Sequence, residues 1–241
     1  MCEQEGKVVR MPVAPVERVL TAARLESIDG VGVCSMANGP DRAVSLALKR
    51  LIDIVGAALL MVVMSPVMLA LAVAIKLDSR GPVFFRQERV GLHGRPFPVV
   101  TFRSMCADAE ERLPDLIGEN EINGHAFKLA HDPRITRVGR LLRRTSLDEL
   151  PQLGNVLRGQ MSLVGPRPPL PSEVAKYDVW HRRRLSMKPG MTGLWQVGAR
   201  LDPEFDRWVQ RDLEYIDSWS LWLDLKIIAR TLPAVLSGTG R

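Results

Sequence analysis

The chain has 241 residues, 46% of them hydrophobic, and a formal charge of +6; that is room for one medium domain with appendages. The positive balance favours an anionic partner, but two Tyr and six Phe offer few stacking platforms for bases and no RNA-binding or helix-turn-helix signature is present, which excludes nucleic acid. Three widely spaced cysteines, Cys2, Cys34 and Cys106, with no CxxC pair exclude a disulfide framework and a zinc site and suit a reducing, cytosolic setting.

Residues 1–45 mix Gly, Pro, charge and small side chains without helical or strand period and read as a flexible tail. They contain no apolar core of a cleavable signal peptide. Residues 46–78 are the membrane element. Within them Ile54 to Ile75 is an apolar run of 22 residues, which as a straight helix would measure about 33 Å, enough to cross a bilayer. Ser65-Pro66 stands at its centre, and Pro66 removes a backbone donor and crowds the preceding turn, so a sharp kink is expected. The Ser65 hydroxyl can meet a carbonyl freed at the bend. Lys49 and Arg50 precede the run, and Lys76, Arg80, Arg86 and Arg89 follow it. Cations on both flanks suit a helix that enters, bends and leaves by one face, although a kinked crossing fits the run alone equally well.

Residues 79–241 form the remaining domain. Pro82 to Phe85 and Phe97 to Phe102 look like short strands punctuated by Gly91, Gly94 and Pro96, making a small hairpin. From Ala107 onward the pattern is mostly helical, with loops at 118–124, 165–171 and 189–198. Near the C-terminus, Leu221, Leu225, Ile228, Leu232 and Val235 share one helical face, with Asp224, Lys226 and Arg230 elsewhere on the wheel. Such a helix can lie in the headgroup region or pack on the protein's own core. All five Trp fall in the last quarter of the chain, which favours interfacial contact.

The densest polar stretch runs from Arg134 to Glu149. Arg134, Arg137, Arg140 and Arg143 recur at every third residue, which holds them near one face of a helix, and a row of guanidinium groups matches phosphate oxygens. A solvated face or a contact to acidic lipid is the plainer reading. Asp148-Glu149-Leu150-Pro151 follows. Pro151 belongs in a first helical turn, so the simplest register makes Asp148 the N-cap of a helix ending near Gly159. Asp148 can then act as a nucleophile toward phosphorus, and Glu149 can orient a cation or handle a proton. Capping alone also explains the pair, since Ser146-x-x-Glu149 matches a capping box. Arg167 lies between Pro166 and Pro168, a rigid turn that lowers the entropy lost when its side chain grips an anion.

Taken together, Lys49-Arg50-x-x-Asp53, the Ser65-Pro66 break, Phe102-Arg103-Ser104-Met105, Ser146 to Leu153, Ser162 to Pro168 and Pro189-Gly190-x-Thr192-Gly193 resemble the bacterial sugar transferase family, the monotopic polyprenyl-phosphate phosphoglycosyl transferases. The resemblance runs in order from about Lys49 to the C-terminus. It implies a mainly α fold with a small β hairpin: a re-entrant helix-break-helix at Ser65-Pro66, plus a cytoplasmic catalytic domain seated on the inner leaflet of the bacterial membrane through interfacial amphipathic helices. It implies transfer of a sugar 1-phosphate from a UDP-sugar to undecaprenyl phosphate with release of UMP, using Mg²⁺ and a covalent aspartyl-phosphosugar intermediate, as the first step of exopolysaccharide, capsule or glycan assembly. Asp148 matches the nucleophile and is the residue expected against Mg²⁺, with Glu149 its partner in the dyad. Arg167, Arg143 and Arg200 are expected to hold substrate phosphates.

Two departures stand out: Thr101 where many members carry Lys, and Gln196-Val197-Gly198-Ala199-Arg200 where many read Gln-Val-Asn-Gly-Arg. The chain looks like the short, exopolysaccharide-type form. Association with copies of itself is left open. A membrane-anchored basic scaffold without chemistry is the alternative from another class.

Overall fold

The computed structural model describes residues 23–28, 31–36, 43–116, 118, 129, 132–198 and 204–236. The chain falls into two units, Met1–Asp41 and Arg42–Arg241. In the first, β1 (Ala23–Ile28) pairs antiparallel with β2 (Val31–Met36), Ile28 opposite Val31. Sequence period did not reveal these strands. The available signal was Asp29-Gly30 between them, the dipeptide favoured in two-residue hairpins.

The second unit opens with α1 (Ala43–Asp78), an uninterrupted helix of 36 residues with Pro66 inside it. Its best window has a mean hydropathy of 2.6, and by length and composition it can cross a membrane. Pro66 cannot donate to Val62, four residues back, and the Ser65 hydroxyl donates to that carbonyl instead, at 2.7 Å. One face of α1 is inward: Lys49, Asp53, Ala57 and Ile75 are buried, and Met61, Met68, Leu71 and Ala72 pack beside them at helical spacing. The opposite face leaves large apolar side chains uncovered, with Val62 72% and Leu69 69% exposed. Apolar exposure on this scale is the mark of a membrane or protein contact.

Next come β3 (Phe84–Val90) and β4 (Pro96–Phe102), the expected antiparallel hairpin, with Phe84 opposite Phe102. Then follow α2 (Leu113–Leu116), α3 (Arg137–Thr145), a 3-10 turn over Leu147–Gln152, and α4 (Leu153–Leu157). After β5 (Ser162–Val164), α5 (Pro171–Val174) and a second 3-10 turn, His181–Ser186, β6 (Gly190–Thr192) returns to pair parallel with β5. The chain closes with α6 (Leu194–Gly198), α7 (Phe205–Asp217) and α8 (Leu221–Leu236).

The parallel pair lies at the edges of segments expected to be loops. Three-residue strands carry too little pattern to read, but their glycines have a reason. A Cβ on Gly190 would sit 2.0 Å from the Gly165 nitrogen, and one on Gly165 would sit 2.4 Å from the Lys188 carbonyl oxygen. Only glycine admits backbones this close.

The core is a chain of clusters. Ala57 joins Phe97, Val99, Leu153, Val156 and Met161, while Ile75 joins Phe102 and Leu142. Leu150 touches both clusters, so the two flanks of Pro66 rest on neighbouring parts of one core.

Several expectations are corrected here. Lys49 and Arg50, read as flanking cations, act inside the protein. Lys49 Nζ lies 2.6 Å from Asp224 and 2.9 Å from the Val164 carbonyl, and Arg50 donates to the carbonyls of Val156 and Leu157. Asp224 was placed on the polar side of the last helix, yet α8 buries Asp224 and Ile227 and leaves Trp222 and Leu225 exposed. The buried face is rotated toward Asp224 because Lys49, Tyr215 and Trp219 all bond its carboxylate. Three of the five tryptophans, Trp195, Trp208 and Trp219, are buried and take no part in an interfacial belt, while Trp180 and Trp222 are exposed.

Removing one partner of a buried pair leaves the other charge uncompensated. Lys49→Met is expected to cost about 3–5 kcal/mol, with Lys49→Met/Asp224→Leu recovering part of it, as read by denaturant unfolding of the purified protein in detergent. A cost below about 1 kcal/mol would mean that the pair behaves as a solvated one.

Candidate active site

Asp148 and Glu149 sit on the 3-10 turn Leu147–Gln152. Ser146 starts this turn in the left-handed region, φ 54°, where it also ends α3, and its side chain makes no capping bond. The N-cap assignment for Asp148 and the capping box are therefore corrected: Asp148 is the second residue of the turn, and Pro151 is accommodated inside it. Asn155 lies on α4, directly after the turn. Its amide donates to the Pro98 carbonyl at 2.7 Å, and its side-chain oxygen accepts from Val100 N at 3.2 Å, which locks α4 to β4.

The turn lines a cleft of about 540 Å³ that also receives Arg143 and Arg167. Four of the five charged residues singled out from sequence thus come together. Arg200 lies outside the described residues.

Arg143 comes from α3, whose start is fixed by Thr136, which accepts from Gly139 N, and by Asp78 of α1, which accepts from Val138 N. Its Nε donates to Ser104 Oγ at 3.0 Å. Burial lowers its pKa, and the nearby Asp148 charge works the other way. The expected row of arginines does not form. Arg137, Arg140 and Arg144 face outward, since three-residue steps drift by about 60° each on a helix of 100° per residue and Arg143 has left their face. Arg134 precedes α3. It pairs with Asp132 through two bonds of 2.9 and 2.6 Å, and that grip holds the Asp132 carboxyl below the usual range.

Arg167 lies in the turn after β5, where Val164 and Gly165 bond to β6. Its guanidinium stands 3.8 Å from the buried Glu173 and over the Trp195 ring, 5.9 Å from the centroid. Beside it is a residue that sequence reading took for a membrane-flanking cation. Arg89, near the end of β3, donates to the Pro168 carbonyl at 3.1 Å and to Gln87 Oε1 at 2.6 Å. Burial, and then the Arg167 charge, push its pKa down to about 10, with Glu173 and Glu149 opposing. Two guanidinium groups crowded together in a cleft favour any anion that can sit between them. The missed signal was strand alternation: Gln87 and Arg89 share the face of β3 that lines the cleft.

The cleft of acidic dyad and arginines belongs to a unit that also carries one helix long and apolar enough to cross a membrane. The sequence comparison gives the class. Residues 44–238 match the bacterial sugar transferase family, and the chain belongs to that family. Among its relatives, galactosyl transferase CpsE of Streptococcus agalactiae serotype III (strain NEM316) is 46% identical over 218 residues, covering 90% of this chain and 48% of that protein. The undecaprenyl-phosphate galactose phosphotransferase of Salmonella typhimurium is 45% identical over 197 residues, covering 80% and 41%. The exopolysaccharide production protein ExoY of Rhizobium meliloti is 38% identical over 209 residues, covering 84% and 91%. The chain thus spans about half the length of the first two and most of the third.

Arg89 combines charge with a geometry that lysine cannot reproduce, because one ammonium cannot span Pro168 and Gln87 at once. Arg89→Lys is expected to lower kcat/KM about tenfold, and Arg89→Met about a hundredfold, the loss of one charged hydrogen bond and then of the charge. Steady-state kinetics on purified protein measures both. Equal, small effects would leave Arg89 as packing alone.

Proposed function

We propose that this protein transfers a sugar 1-phosphate from a UDP-sugar to undecaprenyl phosphate, releasing UMP and forming an undecaprenyl-diphosphate-sugar, as an initiating step of exopolysaccharide, capsule or glycan assembly. The observation that carries this reading is the shared cleft, where the Asp148-Glu149 pair faces Arg143, Arg167 and Arg89. The names of the Salmonella relative and of a glucose-1-phosphate transferase of Escherichia coli, 42% identical over 218 residues, support the same lipid phosphate acceptor.

In this mechanism an Asp148 carboxylate oxygen attacks the phosphorus that bears the sugar. The bond from that phosphorus to the bridging oxygen breaks, and UMP leaves with the electron pair. An oxygen of undecaprenyl phosphate then attacks the aspartyl phosphate, and Asp148 returns as a carboxylate. Arg167 and Arg89 neutralise the departing phosphate, and Arg143 stands by Asp148 to offset the anion on the attacking side. Glu149 takes or returns a proton at the phosphates.

Asp148 and Glu149 suit Mg²⁺, which is commonly held by one or two carboxylates together with substrate phosphates. Among the described residues there is no group of three or more metal-ligating side chains, so the substrate would complete the coordination. When bound, Mg²⁺ lowers the repulsion between an anionic nucleophile and an anionic substrate.

The same reading seats the uncovered face of α1 in the inner leaflet of the bacterial cytoplasmic membrane, with both ends of the helix and the cleft on the cytoplasmic side. It divides the chain into an N-terminal segment of residues 1–45, the membrane helix 46–78 and the catalytic domain 79–241. The bonds of Lys49 and Asp78 support it, because residues near both ends of α1 bond to the same folded unit. A cysteine introduced at Arg42 should resist a membrane-impermeant maleimide in intact cells and react after lysis. Labelling from outside would establish a full crossing.

The chemistry has a sharper test. Asp148→Asn is expected to fold and bind membranes yet lose essentially all turnover, because an amide cannot form the acyl phosphate. Wild-type protein quenched with UDP-sugar and no polyprenyl phosphate should carry a sugar phosphate on Asp148, with at most about one equivalent of UMP released. Substantial transfer by Asp148→Asn, measured with radiolabelled UDP-hexoses, would remove the covalent step.

A further inference from the structure

Trp195, on α6, is 8% exposed and contributes to the wall of the cleft. Among the described residues its indole Nε1 has no hydrogen-bond partner. Buried donors are nearly always satisfied, and an orphan is destabilising. The fold meets the same demand elsewhere: the buried Trp219 donates its Nε1 to Asp224 at 3.3 Å. At Trp195 the donor is instead held in place with no partner among the described residues. Trp208 packs against the ring at 5.2 Å between centroids, the Arg167 guanidinium covers it, and neighbouring Gln196 is tied to the Met191 carbonyl.

Position along the wall says what could meet this donor. Arg89 feels the charges of both Glu149 and Arg167, and Arg167 in turn stacks on Trp195. The indole therefore adjoins Arg167, which shares the cleft wall with Arg89 and the dyad. In a phosphoryl transfer the attacking and leaving oxygens stand roughly in line. If Asp148 attacks, the leaving nucleotide lies on the side of the phosphorus away from it, over the arginines, and its nucleoside comes next along the wall. This step rests on the reaction proposed above.

We propose that the Trp195 indole N–H donates to an oxygen of the nucleoside, a pyrimidine carbonyl or a ribose oxygen, and so recognises the uridine end of the donor. The oxygens of uracil and ribose are acceptors suited to a lone donor, and the Trp195 and Trp208 rings supply an apolar flank for the base. The sugar and the lipid phosphate need no contact with this residue.

The test uses ¹⁵N-labelled full chain in lipid nanodiscs, with UMP, ribose 5-phosphate and inorganic phosphate as probes. In the wild type, one of the five indole resonances should move on adding UMP and stay put with inorganic phosphate. Trp195→Phe, which keeps an aromatic ring against Trp208, should remove that resonance. It should also weaken UMP binding about three- to tenfold, the worth of one neutral hydrogen bond, while inorganic phosphate binds as before. Trp195→Tyr is the second variant should Phe not fold.

Three results would overturn the inference. UMP could bind without moving any indole resonance, which decides the matter whatever the variants do. Inorganic phosphate could move the same resonance equally, making Trp195 a support for Arg167. Trp195→Phe could bind UMP as the wild type does. UMP recognition at Trp195 without any phosphosugar on Asp148 would leave this inference standing and sink the covalent reaction instead.

Discussion

The buried ion pair between Lys49 and Asp224 fastens an apolar helix to a polar catalytic unit, and the position of the cleft depends on that fastening. Dispersion contacts alone set no register, because α1 offers similar aliphatic side chains at every turn. Charged groups taken out of water do set one, since any slip would leave them unpaired at a cost of several kcal/mol. Lys49 also donates to the Val164 carbonyl, one turn away Asp53 accepts from Ser162 and Leu163, and Arg50 closes the carbonyl end of α4. At the far end, Asp78 takes the free N–H of Val138 at the start of α3. Val164 leads into the turn of Arg167, and α3 carries Arg143. The long apolar helix therefore holds both arginine-bearing elements in place.

The cleft concentrates charges that burial disfavours. Arg89 is pushed down to about 10 beside Arg167, and Arg143 is lowered by burial near Asp148. Glu173 is buried against Arg167, while Asp132 and Arg134 satisfy one another. An anion that bridged the arginines would offset their mutual repulsion. The close backbone crossing at Gly165 and Gly190 keeps the Arg167 turn rigid, so little entropy is lost when its side chain engages.

Much of this could be read from the chain. The apolar run, the proline within it, the serine that answers for the lost donor and the β3–β4 hairpin all follow from local rules of hydropathy, backbone chemistry and alternation. The dyad and Arg167 were found through short motifs whose residue types fit phosphoryl chemistry, and the structure gathers them with Arg143 in one cleft. The failures have a common cause. The helical-row reading of Arg134 to Arg143, the N-cap reading of Asp148 and the interfacial reading of the tryptophans each treated a segment as if its own period decided its neighbours.

What the sequence determined by itself was local: which segment is apolar enough for a membrane, where its backbone hydrogen bonding must be repaired, and which residues have the chemistry for phosphate. What only the tertiary structure decided was partnership. Lys49 could face lipid headgroups or a buried carboxylate, and the choice fell to Asp224, 175 residues away. Arg89 could flank a membrane or enter a cleft, and the choice fell to Pro168 and Arg167. A side chain's charge is fixed by its type, but its burial and its counter-charge come from distant segments, and these set what the charge can do.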